Sequence, residues 1–505
     1  MKIQVRNLGP LQKAEFDLKP LTILVGPNNS GKTWLAYLLA GIFGSYGWRK
    51  YTQKYIEQNL ADYPPLDEAI EKVKQKGIAT IDMHEFAEAY GDTYFTNVAK
   101  LAQSWMGDFM ATNPAHFSNL QASVQLADSK ETLLQHIYQF ICFRDIALGS
   151  LVIRKRPNSR KLQIYTKTGD NHATDESSTD DFFLDESLSA EDIRENIVEN
   201  TMLIFHRSLY SRLYTFPTER ATFITLPSSQ RRRFIEEVES RGDYREIIER
   251  FRRRELFAST ELLSRADRVS QSVSEPICRY LSTMTSIYEL DENERSRREK
   301  DAANDTHIKC YIQLAELLET EILEGELYLP TPETNPIREI EFHPQEDIKL
   351  GISAASSMVK ELAPLVLYLR YIARPGDLLI IDEPELSLHP AAQVKIIEFL
   401  ALLVDAGLHV LVTTHSTYVV DQLSNLMEAS TYTNKQDFTE KFLLERVESF
   451  ISPEKVAVYE VDNGELKNIL DQDGSINWQT FSEISDLMHL THVELIREGK
   501  KEDGA

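Results

Sequence analysis

The sequence predicts an α/β fold, a mixed sheet with a parallel phosphate-loop core, carrying a large and mainly helical insertion. Three observations predict it. Gly26-Pro27-Asn28-Asn29-Ser30-Gly31-Lys32-Thr33 reads G-x-x-x-x-G-K-T between the apolar run Leu21–Val25 and the apolar-rich Trp34–Phe43, in strand–loop–helix order. Leu378-Leu379-Ile380-Ile381-Asp382-Glu383 is an all-apolar run ending in two acids, as expected of a parallel strand buried on both faces. Thr33 and Asp382 lie 349 positions apart. A single domain needs only about 100 residues between two such elements, so the excess is an insertion.

The first element carries the chemistry most directly. Gly26 and Gly31 let the backbone curl so that successive N–H groups point at a phosphate, with Asn28, Asn29 and Ser30 completing the loop. Lys32 reaches the β- and γ-phosphates, and Thr33 offers a hydroxyl to Mg2+. The helix that starts there turns its positive dipole end toward the anion.

The remaining elements follow in chain order. Residues 2–5, 14–17 and 21–25 read as short strands, and a helix runs from Thr33 to about Phe43 with Gly44 as its stop. From about 46 to 145 the pattern is mostly helical. Residues 150–165 read as a hairpin around Pro157-Asn158-Ser159. Asp170–Asp192 holds no Lys or Arg and has the composition of an exposed or disordered loop. Phe216-Pro217-Thr218-Glu219-Arg220 is a sharp local signal. Residues 228–270 and 276–325 read as a helical arm, and 339–352 return to strand alternation. Met358, Leu362, Leu365, Leu369 and Ile372 form the buried stripe of a helix with Pro364 inside it. Ser356 and Ser357 stand at its start, as N-caps or as donors to a γ-phosphate.

After Leu378–Asp382 comes a helix over 391–404 and a strand, Val410–Thr413, ending in Thr414-His415-Ser416. In this setting Asp382 is placed to hold Mg2+ and Glu383 to polarise the attacking water. His415, one strand beyond that acidic pair, is a candidate γ-phosphate sensor. The expected organisation is a split head over 1–45 and 338–440, an insertion over 46–337 projecting from it with its arm at about 228–325, and a small C-terminal subdomain over 441–505.

Composition bounds the function. Of 505 residues, 42% are hydrophobic and 27% charged, the profile of a folded globular chain. No apolar run reaches bilayer length, so no membrane partner is expected. Met1–Arg6 lacks the apolar core of a secretory signal. Cys142, Cys278 and Cys310 have no metal-like spacing. A cytoplasmic location is the expectation. The net charge of −24 repels polyphosphates, so nucleic acid would be met only by local basic patches. The candidates are Arg154-Lys155-Arg156 with Arg160-Lys161, Arg231-Arg232-Arg233, and Arg252-Arg253-Arg254.

The order of phosphate loop, Ser-Ser helix, Asp-Glu strand and His strand resembles ABC-type ATPase heads of the SMC/RecF kind. In particular it is similar to predicted ATPases related to the overcoming-lysogenization-defect proteins. The resemblance rests on Gly26–Thr33, Pro217-x-Glu219-Arg220, Ser356-Ser357, Asp382-Glu383-Pro384-Glu385 with Leu388-His389-Pro390, and Thr414-His415-Ser416. It covers about 1–45 and 338–480. One departure is that SMC-like heads carry Ser-Gly-Gly where this chain has Ser356-Ser357-Met358.

The resemblance implies ATP and Mg2+ as ligands, and a dimer or higher multiple of dimers in which two subunits sandwich two nucleotides. Ser356 of one subunit would meet the γ-phosphate held by Lys32 and Thr33 of the other. His415 would contact the same phosphate, and His389 would lie near the seam. The function it implies is a regulatory ATPase subunit controlling a separate effector, a nuclease, in prokaryotic anti-phage defence of the PARIS or Septu kind. No acidic cluster of a Toprim nuclease is visible in the about 90 residues after His415. A second reading is a RecF/SMC-like DNA-repair ATPase acting on DNA directly. A third, a transporter nucleotide-binding subunit, is opposed by the long insertion and the missing Leu-Ser-Gly-Gly-Gln signature.

Overall fold

The computed structural model describes all residues except 59, 128, 147–150, 167–187, 226–272, 289, 331–338, 346, 472–473, 479–489 and 492–505. Its strands are β1 (Lys2–Leu8), β2 (Leu11–Asp17), β3 (Leu21–Val25), β4 (Ile78–Asp82), β5 (Gln121–Gln125), β6 (Cys142–Ile146), β7 (Leu151–Lys155), β8 (Lys161–Tyr165), β9 (Leu213–Phe216), β10 (Glu326–Tyr328), β11 (Glu341–Gln345), β12 (Ile348–Gly351), β13 (Leu378–Asp382), β14 (His409–Thr414), β15 (Val456–Asp462) and β16 (Glu465–Asn468).

The main sheet has nine strands in the order β5-β1-β2-β16-β15-β3-β14-β13-β9. Its core, β15-β3-β14-β13-β9, is parallel throughout. The other wing is built on antiparallel pairs: β5 with β1, β1 with β2, and β16 with β15. Smaller antiparallel sheets join β10-β11-β12 and β4-β8-β7-β6.

The parallel strands are apolar because both faces are covered. Successive residues of one strand enter two different cores. Leu24, Ile380, Leu411 and Val461 pack with Leu35, Leu39 and Ile42 of the helix Lys32–Phe43, and with Phe95, Trp105 and Phe205. Ile23, Leu379, Val412 and Val458 face the other way, onto Leu362, Val366, Phe399, Leu403 and Leu423. Each large apolar side chain buried so contributes about 1.5–3 kcal/mol.

The expected organisation is revised at four points. First, 46–337 does not stand apart from the head, since it supplies β5 and β9, the two edges of the main sheet. Its other described elements pack on both faces. Tyr51, Leu66 and Phe95 join one core, and Met284, Leu314 and Leu318 join the other. An amphipathic helix must bury its stripe, and the sheet's two apolar faces are the nearest place to do so. Second, the segment 441–505 places β15 and β16 between β2 and β3, inside the sheet rather than in a subdomain of its own. Third, the arm's second half is three helices, Glu275–Tyr288, Glu292–Ala302 and Thr306–Leu318, ending in a π-helical turn. Its first half, 228–270, lies outside the described residues, as do most of Asp170–Asp192 and the arginines 231–233 and 252–254. Fourth, 46–145 is mostly helical but also carries β4, β5 and β6.

Candidate functional site

β14 lies between β3 and β13, and all three run parallel, so their C-terminal ends open along one edge of the sheet. Ligands of parallel α/β sheets bind at that edge. The loop Gly26–Thr33 leaves β3 there, Asp382-Glu383 ends β13, and Thr414-His415 ends β14.

Backbone geometry explains the two loop glycines. Gly26 has φ +137°, and a Cβ there would collide with the Val461 carbonyl oxygen of β15. Gly31 has φ +107° and caps the helix Lys32–Phe43, with Pro10 and Leu11 of the β1–β2 turn pressed against it. Both occupy the left-handed region that side chains seldom adopt. Asn28 and Asn29 are exposed, and the Ser30 hydroxyl is buried with no protein partner.

The Lys32 side chain is buried and turns back on its own loop. Its ammonium donates to the carbonyls of Gly26 at 2.9 Å and Pro27 at 2.8 Å and lies 3.5 Å from His415 Nδ1. Burial pulls its pKa down to about 8, against the pull of the Glu383, Asp382 and Glu385 carboxylates. Thr33 Oγ1 donates to Asp382 Oδ1 at 3.1 Å, and Thr413 Oγ1 donates to the same oxygen. Burial pushes Asp382 up to about 6, opposed by the Thr413 and Thr33 hydroxyls and reinforced by Glu383.

Glu383 leaves the strand with φ +48°, a left-handed residue that is not glycine. Its N–H is held by Thr413, 3.1 Å from the carbonyl and 3.2 Å from the hydroxyl. Its Oε1 lies 2.7 Å from His415 Nε2. The hydrogen bond from His415 holds the carboxyl below its ordinary range, with help from the His415 and Lys32 charges and against burial. His415 Nδ1 lies 2.9 Å from the Gly26 carbonyl. Nε2 faces an acceptor, while Nδ1 faces the Gly26 carbonyl and the Lys32 ammonium. Glu385 fixes the ring's backbone, accepting from His415 N at 2.8 Å and from Thr414 Oγ1 at 2.6 Å.

The structure therefore brings Gly26, Ser30, Gly31, Lys32, Thr33, Asp382, Glu383 and His415 together. It does not bring Ser356 and Ser357 to them. Both serines are exposed, the Ser356 hydroxyl caps its own helix by accepting from Val359 N at 3.3 Å, and neither bonds to the loop among the described residues. His389 likewise caps the helix Pro390–Asp405, accepting from Ala391 N at 3.4 Å.

Sequence reasoning gave no role to Thr413 or Glu385, which sit two residues before His415 and two after Glu383, and did not place β15 in the main sheet. The strand-like stretch Val456–Val461, apolar except for Glu460, is the signal for β15. Arg220 is buried beside the site, its guanidinium bonded to neighbouring backbone, and its positive charge favours the ionised forms of Asp382 and Glu383. One other expectation changes. Lys155 is also buried, donating to the carbonyls of Phe140 at 3.1 Å and Ser159 at 2.7 Å, so it is no part of a basic surface. Among the described residues no helix is long and apolar enough to cross a membrane, and no His, Cys, Asp and Glu cluster of metal-binding form occurs.

The family model described as an AAA ATPase domain matches residues 1–420. No curated protein matches the chain. Among solved structures, an Smc head domain of Pyrococcus furiosus with an extended coiled coil, bound to the C-terminal domain of ScpA, is 13% identical with a TM-score of 0.33, covering 97% of this chain and 98% of that one. An SmcHead bound to the C-winged helix domain of ScpA is 11% identical with a TM-score of 0.35, covering 93% and 96%.

Proposed function

Because this chain belongs to the AAA ATPase domain family, we propose that it binds Mg·ATP at the loop Gly26–Thr33 and hydrolyses it, and that ATP joins two copies of the chain. The observation that carries this reading is the convergence of Lys32, Thr33, Asp382, Glu383 and His415 at the ends of three adjacent parallel strands.

The residues fit the ligand. The Ser30 hydroxyl is buried without a partner, and the loop lysine is bonded to two backbone carbonyls, which phosphate oxygens would replace with stronger, charge-assisted bonds. Thr33 and Asp382 would hold Mg2+, which would offset the charge of the phosphates. Glu383 takes the proton from the attacking water, and its low pKa keeps it an anion at neutral pH. His415 orients that carboxylate through Nε2 and is placed to turn to the γ-phosphate. Gly26, Asn28 and Asn29 line the approach.

Ser356 and Ser357 are proposed to act on the nucleotide of a second copy. What supports this is that both are exposed at a helix N-terminus while their own site is built without them. The dimer so formed is proposed to regulate a separate effector, a nuclease of an anti-phage system; this rests on the sequence resemblance. Direct action on DNA is the second reading, and among the described residues it would have to use the exposed Arg156, Arg160 and Lys161, since Lys155 is buried.

The test is phosphate release by the purified chain with Mg·ATP, together with its mass in solution with and without nucleotide, alone and co-purified with the product of the neighbouring gene. Turnover with a doubled mass supports the reading. A chain that stays monomeric with Mg·ATP bound rejects the shared site.

A further inference from the structure

Among the described residues Arg220 is the largest fully buried charged side chain, only 2% exposed, and its hydrogen bonds are unusual. Nε–H donates to the Glu361 carbonyl at 3.2 Å. Nη1 donates to the Pro217 carbonyl at 3.1 Å and the Asp382 carbonyl at 2.6 Å, and Nη2 donates to the Glu383 carbonyl at 2.8 Å. The Glu361 carboxylate lies 2.9 Å from Nε as an ion pair, its Oε2 making no hydrogen bond. A buried guanidinium thus spends two of its donors on the two consecutive peptides that carry the acids of the site.

Strand register explains why donors are needed there. β9 pairs with β13 only as far as Phe216 opposite Ile381. Beyond that point the β13 carbonyls face a strand that has ended, and Arg220, four residues on, takes up the bonding that the strand would have supplied. The second of those carbonyls belongs to Glu383, whose φ of +48° swings its side chain out of the strand direction toward His415. That left-handed residue is fixed from both sides, its N–H by Thr413 and its C=O by Arg220.

Glu361 extends the connection. It lies on the helix Ser357–Tyr371, about one turn past the exposed Ser356 and Ser357. The same arginine therefore touches the backbone of Glu383 and the helix that presents the two serines.

We propose that Arg220 is a positioning residue for Glu383, locking its left-handed backbone, and that Glu361 ties this lock to the Ser356–Ser357 helix so that the carboxylate is aligned only when that helix is seated. The inference rests on the proposed ATPase reading and deepens it. A shift of that helix on meeting a second copy moves Glu361, then the guanidinium, then the Glu383 peptide. Hydrolysis is in this way coupled to assembly.

The test uses the full chain and the variants Arg220→Lys and Glu361→Gln, each also combined with Glu383→Gln. Turnover, Mg·ATP affinity by calorimetry and thermal unfolding are measured. Lysine keeps the charge but lacks the planar five-donor fork, so it cannot hold the Pro217, Glu361, Asp382 and Glu383 carbonyls together. The expected result is that Arg220→Lys lowers kcat about 100-fold, the scale of a misplacement of about 1 Å, with affinity for Mg·ATP within about threefold of the parent. Glu361→Gln keeps the carbonyl contacts and lowers kcat about tenfold, again with affinity kept. On the Glu383→Gln background, in single turnover, Arg220→Lys adds less than about twofold, because the group it positions is already gone.

Parental kcat in Arg220→Lys overturns the proposal. So does an equal fall in kcat with and without the Glu383 carboxylate, which marks a structural role only. Should Arg220→Lys not fold, Glu361→Gln decides alone, and an unchanged kcat there overturns the proposal. A parental chain with no turnover overturns the ATPase reading and this one with it; an active parent with active variants overturns this one alone.

Discussion

Replacing Glu383 by Gln tests the chemistry at its centre. The two side chains have the same shape, so the left-handed backbone, the bonds to Thr413 and the neighbouring Asp382 are retained, while one negative charge is lost. That charge is present at neutral pH, since the hydrogen bond from His415 holds the carboxyl below its ordinary range. A positioned general base contributes a factor of about 100 to 10,000, or roughly 3 to 5 kcal/mol of barrier. The variant is therefore expected to turn over at least about 100-fold more slowly. Affinity for Mg·ATP should hold or tighten, because an anion facing an anionic ligand has been removed and the Thr33–Asp382 pair is untouched. Phosphate release in steady state and single turnover gives the first quantity, calorimetry the second, and light scattering the mass of the trapped assembly. Glu383→Asp adds a control. Withdrawing the carboxylate by one methylene breaks the 2.7 Å contact with His415 and should also slow turnover. Turnover of Glu383→Gln within about threefold of the parent, against the expected factor of about 100, would remove Glu383 from the mechanism.

Lys32→Ala should weaken Mg·ATP binding by about 100-fold or more, since it deletes a buried ammonium whose replacement partners are phosphate oxygens; calorimetry showing parental affinity would reject the phosphate-loop assignment. Ser356→Arg should leave binding within about threefold, because the serine is exposed and away from its own site, yet abolish turnover and ATP-dependent mass increase. The acid side of the stability curve should carry the signature of His206. This ring is buried between Tyr94 and the Phe43 and Gly44 carbonyls, 3.2, 3.0 and 3.2 Å away, and burial lowers its pKa to about 4. The unfolded chain takes its proton first as pH falls below the ordinary value of 6.5. Stability is thus lost between about pH 6.5 and 4, by up to about 1.4 kcal/mol per unit. Urea unfolding of the parent and of His206→Gln at pH 7 and 5 should show the smaller drop in the variant, and equal drops would refute this account.

Local chemistry was readable in the chain wherever it is encoded by neighbours in sequence. The strand before Gly26, the glycines themselves, the Lys32-Thr33 pair and the apolar run into Asp382 are short-range patterns, and each marks its element. The pairing of β7 with β8 was legible for the same reason, as two runs around a Pro-Asn-Ser turn. What was not legible is fixed by contacts across hundreds of positions. β5 and β9 are only five and four residues long, each within a stretch whose dominant pattern is helical, and nothing local says that they close the two edges of a distant sheet. Charge was misleading for a related reason. Lys155 reads as a surface cation until the fold supplies the backbone carbonyls that make burial tolerable.

The placement of β15 carries the deepest consequence of this long-range assembly. It enters the sheet directly beside β3, in parallel, from the far end of the chain. Its Val461 carbonyl then forbids a side chain at Gly26. The first residue of the phosphate loop is therefore shaped by a strand that follows it by more than four hundred positions, while Thr33 is fixed by Asp382, 349 positions on. Neither half of the chain can form this edge alone: β3 without β14 and β15 has no parallel neighbour on either side, and a lone buried strand leaves its backbone polar groups unpaired. The curl of the loop is thus packed against strands from both ends of the chain. A site built from both ends of the chain depends on the integrity of the whole fold, and this suits a residue network in which Arg220 and Glu361 join the acids of that edge to an exposed helix.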